Sequence, residues 1–128
     1  MKFFLAAAIA VLMTAFATVS VAAEAPYDQA KFDTLRAAAK PVAVVFHADW
    51  CPTCRAQAPV LRQLTQSPEF KDLTLFVANF DTEKALKRSL GVTKQSTVVV
   101  FKSSKEAARS TGDTQADRLG ELLRHAIS

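Results

Sequence analysis

Apolar residues occur along the chain in two patterns, short continuous runs and stripes spaced by three or four positions. Continuous runs at 41–47, 73–80 and 97–101 predict strands that are buried on both faces of a sheet, because they lack alternating polar positions. A turn over 102–106 leads into a more polar run at 107–111, which predicts a short fourth strand. The pattern therefore predicts a central sheet of about four to five strands.

Stripes of apolar residues predict four helices between and after these strands. The predicted helices run over 27–39, from Pro52 to about 66, over 83–90 up to Gly91, and around 119–127. The stripe of the last helix consists of Leu119, Leu122, Leu123, Ala126 and Ile127. We expect Asp81 and Thr82 to cap the third helix. Helices that alternate with strands, followed by two strands joined by a tight turn, predict an α/β fold whose mixed sheet has helices on both faces.

The first 23 residues differ from the rest of the chain. Lys2 is followed by an uncharged, mostly apolar stretch from Phe3 to Val21, and small residues precede Glu24. This order predicts a secretory signal peptide, residues 1–23, that is cleaved after Ala23. An uncleaved membrane anchor is the alternative, because the stretch is long enough to span a bilayer. Either reading places residues 24–128 outside the cytoplasm, in the periplasm or secreted, with membrane contact only if the segment is retained.

Charge and composition restrict the classes of partner. The 16 basic and 12 acidic residues give a net charge of +4, and Lys and Arg are dispersed among acidic residues. Dispersed charge is typical of a solvated surface, so we expect no nucleic-acid partner. No repeat or Gly/Pro-rich linker divides residues 24–128, which we expect to form one monomeric domain.

The only two cysteines of the chain are Cys51 and Cys54, at the junction of a predicted strand and a predicted helix. Residues three apart on the first turn of a helix are neighbours, which fits the Cα separation of roughly 4.4–6.8 Å in a disulfide. A bridge over only two intervening residues would restrict the unfolded chain little, so a purely structural role is disfavoured. The spacing therefore predicts a redox-active dithiol.

The two sulfurs are not expected to be equivalent. Pro52 suits the first position of the helix, which places Cys51 at the N-cap. There its sulfur can accept hydrogen bonds from the free N–H groups of Thr53 and Cys54, and the helix dipole favours an anion. A stabilised thiolate is the reactive form of cysteine. We therefore expect Cys51 to be the nucleophile and Cys54 the resolving thiol.

The chain resembles the thioredoxin family over nearly the whole of residues 24–128. The matching residues are Phe46 to Cys54, Pro59, Asp81, Gly91-Val92, Thr97 to Lys102 and Gly112. The resemblance implies a thioredoxin fold and thiol–disulfide exchange through a mixed disulfide. It also implies protein or peptide disulfides as substrates, a thiol–disulfide electron donor, and no cofactor or metal beyond the Cys51–Cys54 pair itself.

Two positions depart from the buried charged pair that is usual in this family. The residue on the strand before the motif is Val45 where an acid is usual, and Val77 stands where a lysine is usual. The usual proton acceptor for Cys54 is therefore absent, and Asp49, His47 or water are the candidate substitutes. Replacing both partners together avoids leaving a lone buried charge.

Another departure lies in the loop that faces the dithiol. Ser96 occupies the position of the family's cis-proline, and the Gln95–Ser96 bond could be either cis or trans. The N–H and hydroxyl of Ser96 could bind a substrate or a thiolate, or the serine could merely repair the loop. We expect Ser96→Pro to change the redox potential with little loss of fold.

The remaining candidates for substrate binding or modulation lie around the dithiol. Trp50 is expected to shield the disulfide and to offer a docking surface. The other candidates are Pro52, Thr53, Gln95 and Thr97.

The sequence thus favours a thiol–disulfide oxidoreductase outside the cytoplasm, with reductase preferred by resemblance and oxidase or isomerase still open. The alternative is a metal-binding or metal-delivery module that uses the Cys51 and Cys54 thiolates. A closed tetrahedral site would then need a second copy of the chain or His47.

Overall fold

The computed structural model describes residues 23–128, which form a five-stranded sheet in the order β1-β3-β2-β4-β5. The strands are β1 Ala23–Pro26, β2 Val42–His47, β3 Thr74–Asn79, β4 Thr97–Lys102 and β5 Lys105–Thr111. The first three strands in chain order are parallel, while β4 pairs antiparallel with both β2 and β5. The predicted mixed sheet is confirmed, whereas the predicted leader lies outside the described residues apart from Ala23.

Four α-helices accompany the sheet: α1 Gln29–Ala37, α2 Pro52–Thr65, α3 Lys84–Leu90 and α4 Ala116–Arg124. A short 3-10 turn, Pro68–Phe70, follows α2 where Ser67 and Pro68 end the helical pattern. Within residues 23–128, none of the helices is long and apolar enough to cross a membrane.

Alternate residues of β2 enter two separate cores, one on each face of the sheet. Ala43 and Val45 pack with Leu61 of α2 and with the apolar stripe of α4. On the opposite face, Val44 and its alternate neighbours pack with Phe32 of α1 and with α3. The uninterrupted apolar run of β2 is therefore explained by burial on both sides, and the prediction of helices on both faces is confirmed.

The structure differs from the sequence prediction at three local points. Strand β1 was not predicted, because four residues that include exposed Glu24 are too short to show a strand period. Helix α3 begins after Glu83 without a side-chain cap, since Asp81 makes its hydrogen bonds elsewhere. Helix α4 ends at Arg124, so Ile127 is 37% exposed and does not extend the buried stripe.

The pairing of β2 with β4 fixes the position of the dithiol. Because these strands are antiparallel, the carboxyl end of β2 and the amino end of β4 lie at the same edge of the sheet. The loop with Cys51 leaves the first end and Ser96 precedes the second. Two segments about 45 residues apart along the chain therefore meet at this edge.

Candidate active site

Cys51 occupies the N-cap of α2, as its spacing from Pro52 predicts. Its backbone is extended, and Pro52 takes the first turn of the helix. The N–H of Cys54 donates to Cys51 Sγ at 3.2 Å. The second bond, expected from Thr53, is not formed among the described residues, where only Cys54 donates a backbone N–H to this sulfur. The helix terminus therefore stabilises negative charge on Cys51 through one direct donor and the aligned peptide dipoles.

The two thiols are largely covered by the fold. Both cysteines are free thiols, Cys51 is 3% exposed, and Cys54 is fully buried. They pack with Ala48 and half-buried Phe80 in a small apolar cluster of their own. The more accessible sulfur is thus the one at the helix N-terminus, as the nucleophile requires.

Ser96 lies directly against both sulfurs. Its hydroxyl oxygen is 2.9 Å from Cys54 Sγ and 3.6 Å from Cys51 Sγ. A hydroxyl has one proton to donate and two lone pairs that accept, so it can bridge the two thiols. Ser96 therefore contacts the redox pair itself.

The backbone of Ser96 decides between the alternatives left open by the sequence. Residues 23–128 contain no cis peptide bond, so Gln95–Ser96 is trans, and Ser96 has a φ of 62°. Its N–H donates to the Phe46 carbonyl at 2.8 Å. This N–H is therefore already bonded within the fold, which argues against its use by a substrate. The backbone also disfavours proline, contrary to the expectation of little loss of fold, because proline lacks the N–H and holds φ near −65°.

Hydrogen bonds set the acidity of Cys51. Burial by itself raises the pKa of this thiol, but hydrogen bonds from the Cys54 thiol, the Cys54 N–H, Ser96 and Gln95 more than offset it. Together they lower the pKa of Cys51 from its ordinary 9.0 to about 7. Near neutral pH a larger share of Cys51 is therefore thiolate than in an ordinary cysteine.

Cys54 is shifted in the opposite direction. Burial is the largest cause that raises its pKa, and its hydrogen bond to Cys51 raises the pKa further. The Ser96 hydroxyl lowers the pKa of Cys54 without reversing the shift. Cys51 is therefore the more readily ionised thiol of the pair, and the raised pKa keeps Cys54 protonated at neutral pH.

The pH dependence of alkylation checks this assignment. We expect the rate of iodoacetamide modification of Cys51 to rise with a midpoint near pH 7, because a lowered pKa makes the thiolate at lower pH. Mass spectrometry of the modified peptide, sampled from pH 5 to 10 in reduced protein, gives the profile. A midpoint near the ordinary value of 9.0 would contradict the hydrogen-bond arrangement.

Trp50 forms an exposed platform beside the dithiol. Its side chain is 58% exposed, and its indole Nε1–H donates to Asp81 Oδ2 at 2.8 Å. Asn79 Oδ1 in turn accepts from the N–H groups of Asp81 and Thr82 and holds that loop. The indole is thus fixed in orientation while its face stays open to solvent, which suits contact with a partner protein.

The two candidate proton relays form a separate pair. His47 Nε2 lies 2.9 Å from Asp49 Oδ1, and Asp49 is fully exposed. Neither side chain is hydrogen-bonded to a sulfur in the part of the chain that the structure describes. The polar side chain that contacts Cys54 Sγ is instead that of Ser96, whose hydroxyl oxygen lies 2.9 Å away.

Apolar side chains occupy the position of the family's buried charged pair. Val45 and Val77 are direct partners across β2 and β3. Both line a cavity of about 140 Å³ that Gln57 also borders. The same cavity is lined by Glu24 and Arg62, whose charged groups lie 3.9 Å apart, and by His47.

The remaining candidates have different surroundings. Pro52 and Thr53 are exposed on the first turn of α2, and Gln95 is half-buried. Thr97 is buried, and its hydroxyl donates to the Lys94 carbonyl and meets the Thr111 hydroxyl, each at 2.8 Å. Thr97 therefore anchors the loop before β4, whereas Pro52 and Thr53 are accessible to a partner.

Gln57 is a buried polar residue at the site that the sequence pattern did not single out. This side chain is 1% exposed, and its amide nitrogen contacts the Ser96 carbonyl. A polar residue one turn after Cys54, within the buried stripe that continues to Leu61, is the signal that could have identified it.

The donor set for a metal is limited. Among residues 23–128, no three His, Cys, Asp or Glu side chains gather into a group that could hold a metal ion. The polar side chain next to the two sulfurs is that of Ser96, which is not a His, Cys, Asp or Glu ligand. No observation therefore favours the metal-module alternative.

Comparison with known proteins agrees with this fold and dithiol. A family model described as Thioredoxin matches residues 23–125. The chain is 33% identical to thioredoxin from Chlamydia muridarum over 82 residues, which are 64% of this chain and 78% of that protein. It is 38% identical to a thioredoxin-like protein from Fusarium culmorum over 68 residues, 52% of this chain and 56% of that protein.

A solved structure is also similar. Trxlp from Edwardsiella tarda EIB202 superposes with a TM-score of 0.77 at 38% identity, covering 79% of this chain and 98% of that one. The fold and the paired thiols define a thiol–disulfide oxidoreductase. The chain belongs to the thioredoxin family.

Proposed function

We propose that this protein reduces disulfides of proteins or peptides outside the cytoplasm. The observation that carries the proposal is the Cys51 sulfur at the N-terminus of α2, with a pKa of about 7, beside the protonated thiol of Cys54. This arrangement supplies a nucleophile and a resolving group at one site.

The reaction takes two exchange steps. The Cys51 thiolate attacks one sulfur of the substrate disulfide, forms a mixed disulfide, and releases the other substrate sulfur as a thiolate that takes up a proton. Cys54 then loses its proton and attacks Cys51 Sγ, which forms the Cys51–Cys54 disulfide and releases the second substrate thiolate. Two electrons pass from the dithiol to the substrate, and a thiol donor restores the reduced pair.

The surface around Cys51 suits a polypeptide substrate. Trp50 presents an oriented indole face, and the exposed Pro52 and Thr53 continue that surface along the first helical turn. Gln95 is half-buried beside the thiols and contributes a hydrogen bond that lowers the Cys51 pKa. A substrate strand could pack on Trp50 while its disulfide approaches the sulfur of Cys51.

The acidity of Cys51 favours reduction over oxidation. Strongly oxidising dithiols stabilise the reduced thiolate so far that its pKa falls to about 3.5, whereas reducing members keep it near 7. The value of about 7 for Cys51 corresponds to the second group. We therefore place the protein on the reducing side of the family.

A glutathione redox titration of residues 24–128 tests the direction. A potential near about −270 mV is expected for a reductase, and one near about −120 mV would identify an oxidant. The oxidised fraction is read by alkylation and intact mass, with turnover of a model protein disulfide and dithiothreitol measured on the same preparation. An oxidant-like potential would contradict the proposed direction but leave the dithiol chemistry intact.

Export is the second part of the proposal, and it is tested independently. We expect the exported protein to lack residues 1–23, because small residues lead from the apolar stretch to Glu24. Intact-mass measurement of protein recovered from the extracytoplasmic fraction gives the new N-terminus. A mass that retains Met1 would support the membrane anchor, and protein confined to the cytoplasm would contradict the proposed location.

A further inference from the structure

Gln57 is a buried amide whose hydrogen bonds reach two distant segments of the chain. Its Nε2 lies 3.1 Å from the Ser96 carbonyl oxygen and 2.9 Å from the Asp113 carbonyl oxygen. Both partners are acceptors, so the contacting atom is the NH₂ nitrogen, and each of its two hydrogens has a partner. The side chain thus ties α2 to the loop before β4 and to the segment before α4.

Packing alone does not account for an amide at this position. Gln57 belongs to the buried face of α2 together with Cys54, Leu61 and Thr65. A leucine of similar size could fill the position without burying a polar group. Burying an amide costs free energy, and hydrogen bonds within the protein offset that cost. The two hydrogen bonds therefore indicate that the amide serves to link α2 to the segments that contain Ser96 and Asp113.

Ser96 needs such support because its backbone is strained. A φ of 62° is uncommon for a residue with a Cβ and persists only where its surroundings impose it. The Ser96 N–H is held by the Phe46 carbonyl, and its own carbonyl accepts from the Gly112 N–H at 3.1 Å as well as from Gln57. These bonds fix the peptide planes on both sides of Ser96 and so fix the direction of its Cα–Cβ bond.

We propose that Gln57 is a positioning residue for the redox pair: it holds Ser96 so that the Ser96 hydroxyl bridges the sulfurs of Cys51 and Cys54. The inference rests on the dithiol chemistry proposed above. Within residues 23–128 the hydrogen bonds of Gln57 go to carbonyl oxygens and not to sulfur, so Gln57 acts on the thiols through Ser96. Without the bond from Gln57, the Ser96 carbonyl is held only by the Gly112 N–H, so the restraint on the Cα–Cβ direction weakens and the hydroxyl lies less often between the sulfurs.

A double-mutant cycle tests the coupling. The variants are Gln57→Leu, Ser96→Ala and the two combined, with Gln63→Leu as the matched control, because Gln63 is an exposed glutamine on the same helix. The readout is the pKa of Cys51 from its pH-dependent alkylation, together with the equilibrium constant against glutathione. Neither readout requires turnover, so failure of the proposed reductase activity is seen separately in the disulfide-reduction assay.

We expect Ser96→Ala to raise the pKa of Cys51 by about one pH unit and Gln57→Leu to raise it by about half a unit or more. The combined variant should match Ser96→Ala, and Gln63→Leu should match the wild type. Additive effects, or no change of the pKa in Gln57→Leu, would overturn the proposal. If Gln57→Leu does not fold, Gln57→Met takes its place in the cycle, and failure of both to fold rejects a specific positioning role.

Discussion

Cys51→Ser is expected to abolish reduction of a model protein disulfide, a loss of at least about a thousandfold, because the variant has no thiolate that can form the mixed disulfide. The measurement is the turnover of that disulfide with dithiothreitol as donor, corrected for the rate of dithiothreitol alone. Full activity in Cys51→Ser would falsify the assignment of the nucleophile.

Cys54→Ser serves as the matched comparison because it removes the neighbouring sulfur of the same pair. The nucleophile then remains but cannot be released, so mixed disulfides should accumulate and be visible as added mass on non-reducing analysis. Accumulation of adducts on Cys51→Ser instead would reverse the two roles.

Ser96→Pro is expected to lower the free energy of unfolding by on the order of 3 kcal/mol. Proline cannot adopt the φ of 62°, and it removes the N–H that donates to the Phe46 carbonyl. Thermal and urea unfolding of the reduced protein measure the effect. Stability equal to that of the wild type would mean that the loop rearranges to accept proline.

Ser96→Gly separates the hydroxyl from the backbone. Glycine adopts positive φ without strain, so the fold should be retained while the bridge to the sulfurs is lost. Because that bridge stabilises the reduced thiolate, its removal should shift the redox potential to more negative values by about 30 mV or more. Ser104→Gly is the control, since Ser104 has a φ of 66° in an exposed turn away from the dithiol.

The position of the dithiol could be predicted because its determinants are local. Cys51, Pro52 and Cys54 lie within one helical turn, so their spacing alone defines an N-cap and a neighbouring thiol. The apolar run of β2 and the stripe of α4 depend in the same way on near neighbours in sequence. Where the local pattern is weak, the prediction fails. Strand β1 is too short to show a strand period, and the polar residues before α3 do not form the predicted cap.

The interactions that adjust the thiols could not be predicted in the same way. Gln57 reaches Ser96 and Asp113 across 39 and 56 residues, and Trp50 reaches Asp81 across 31. Such bonds depend on which sheet edge each loop reaches and on the angle at which each side chain leaves the backbone. No periodicity in the sequence carries that information.

The sequence by itself determined the fold class and the strand-to-helix junction of the dithiol, and it predicted different roles for Cys51 and Cys54, because each of these depends on spacing within a few residues. The tertiary structure decided the state of Ser96. A trans bond, a positive φ and a hydroxyl between two sulfurs arise because antiparallel β2 and β4 end at one sheet edge and bonds from Phe46, Gly112 and Gln57 fix the loop there. Long-range packing selects one backbone conformation among several that the local sequence permits.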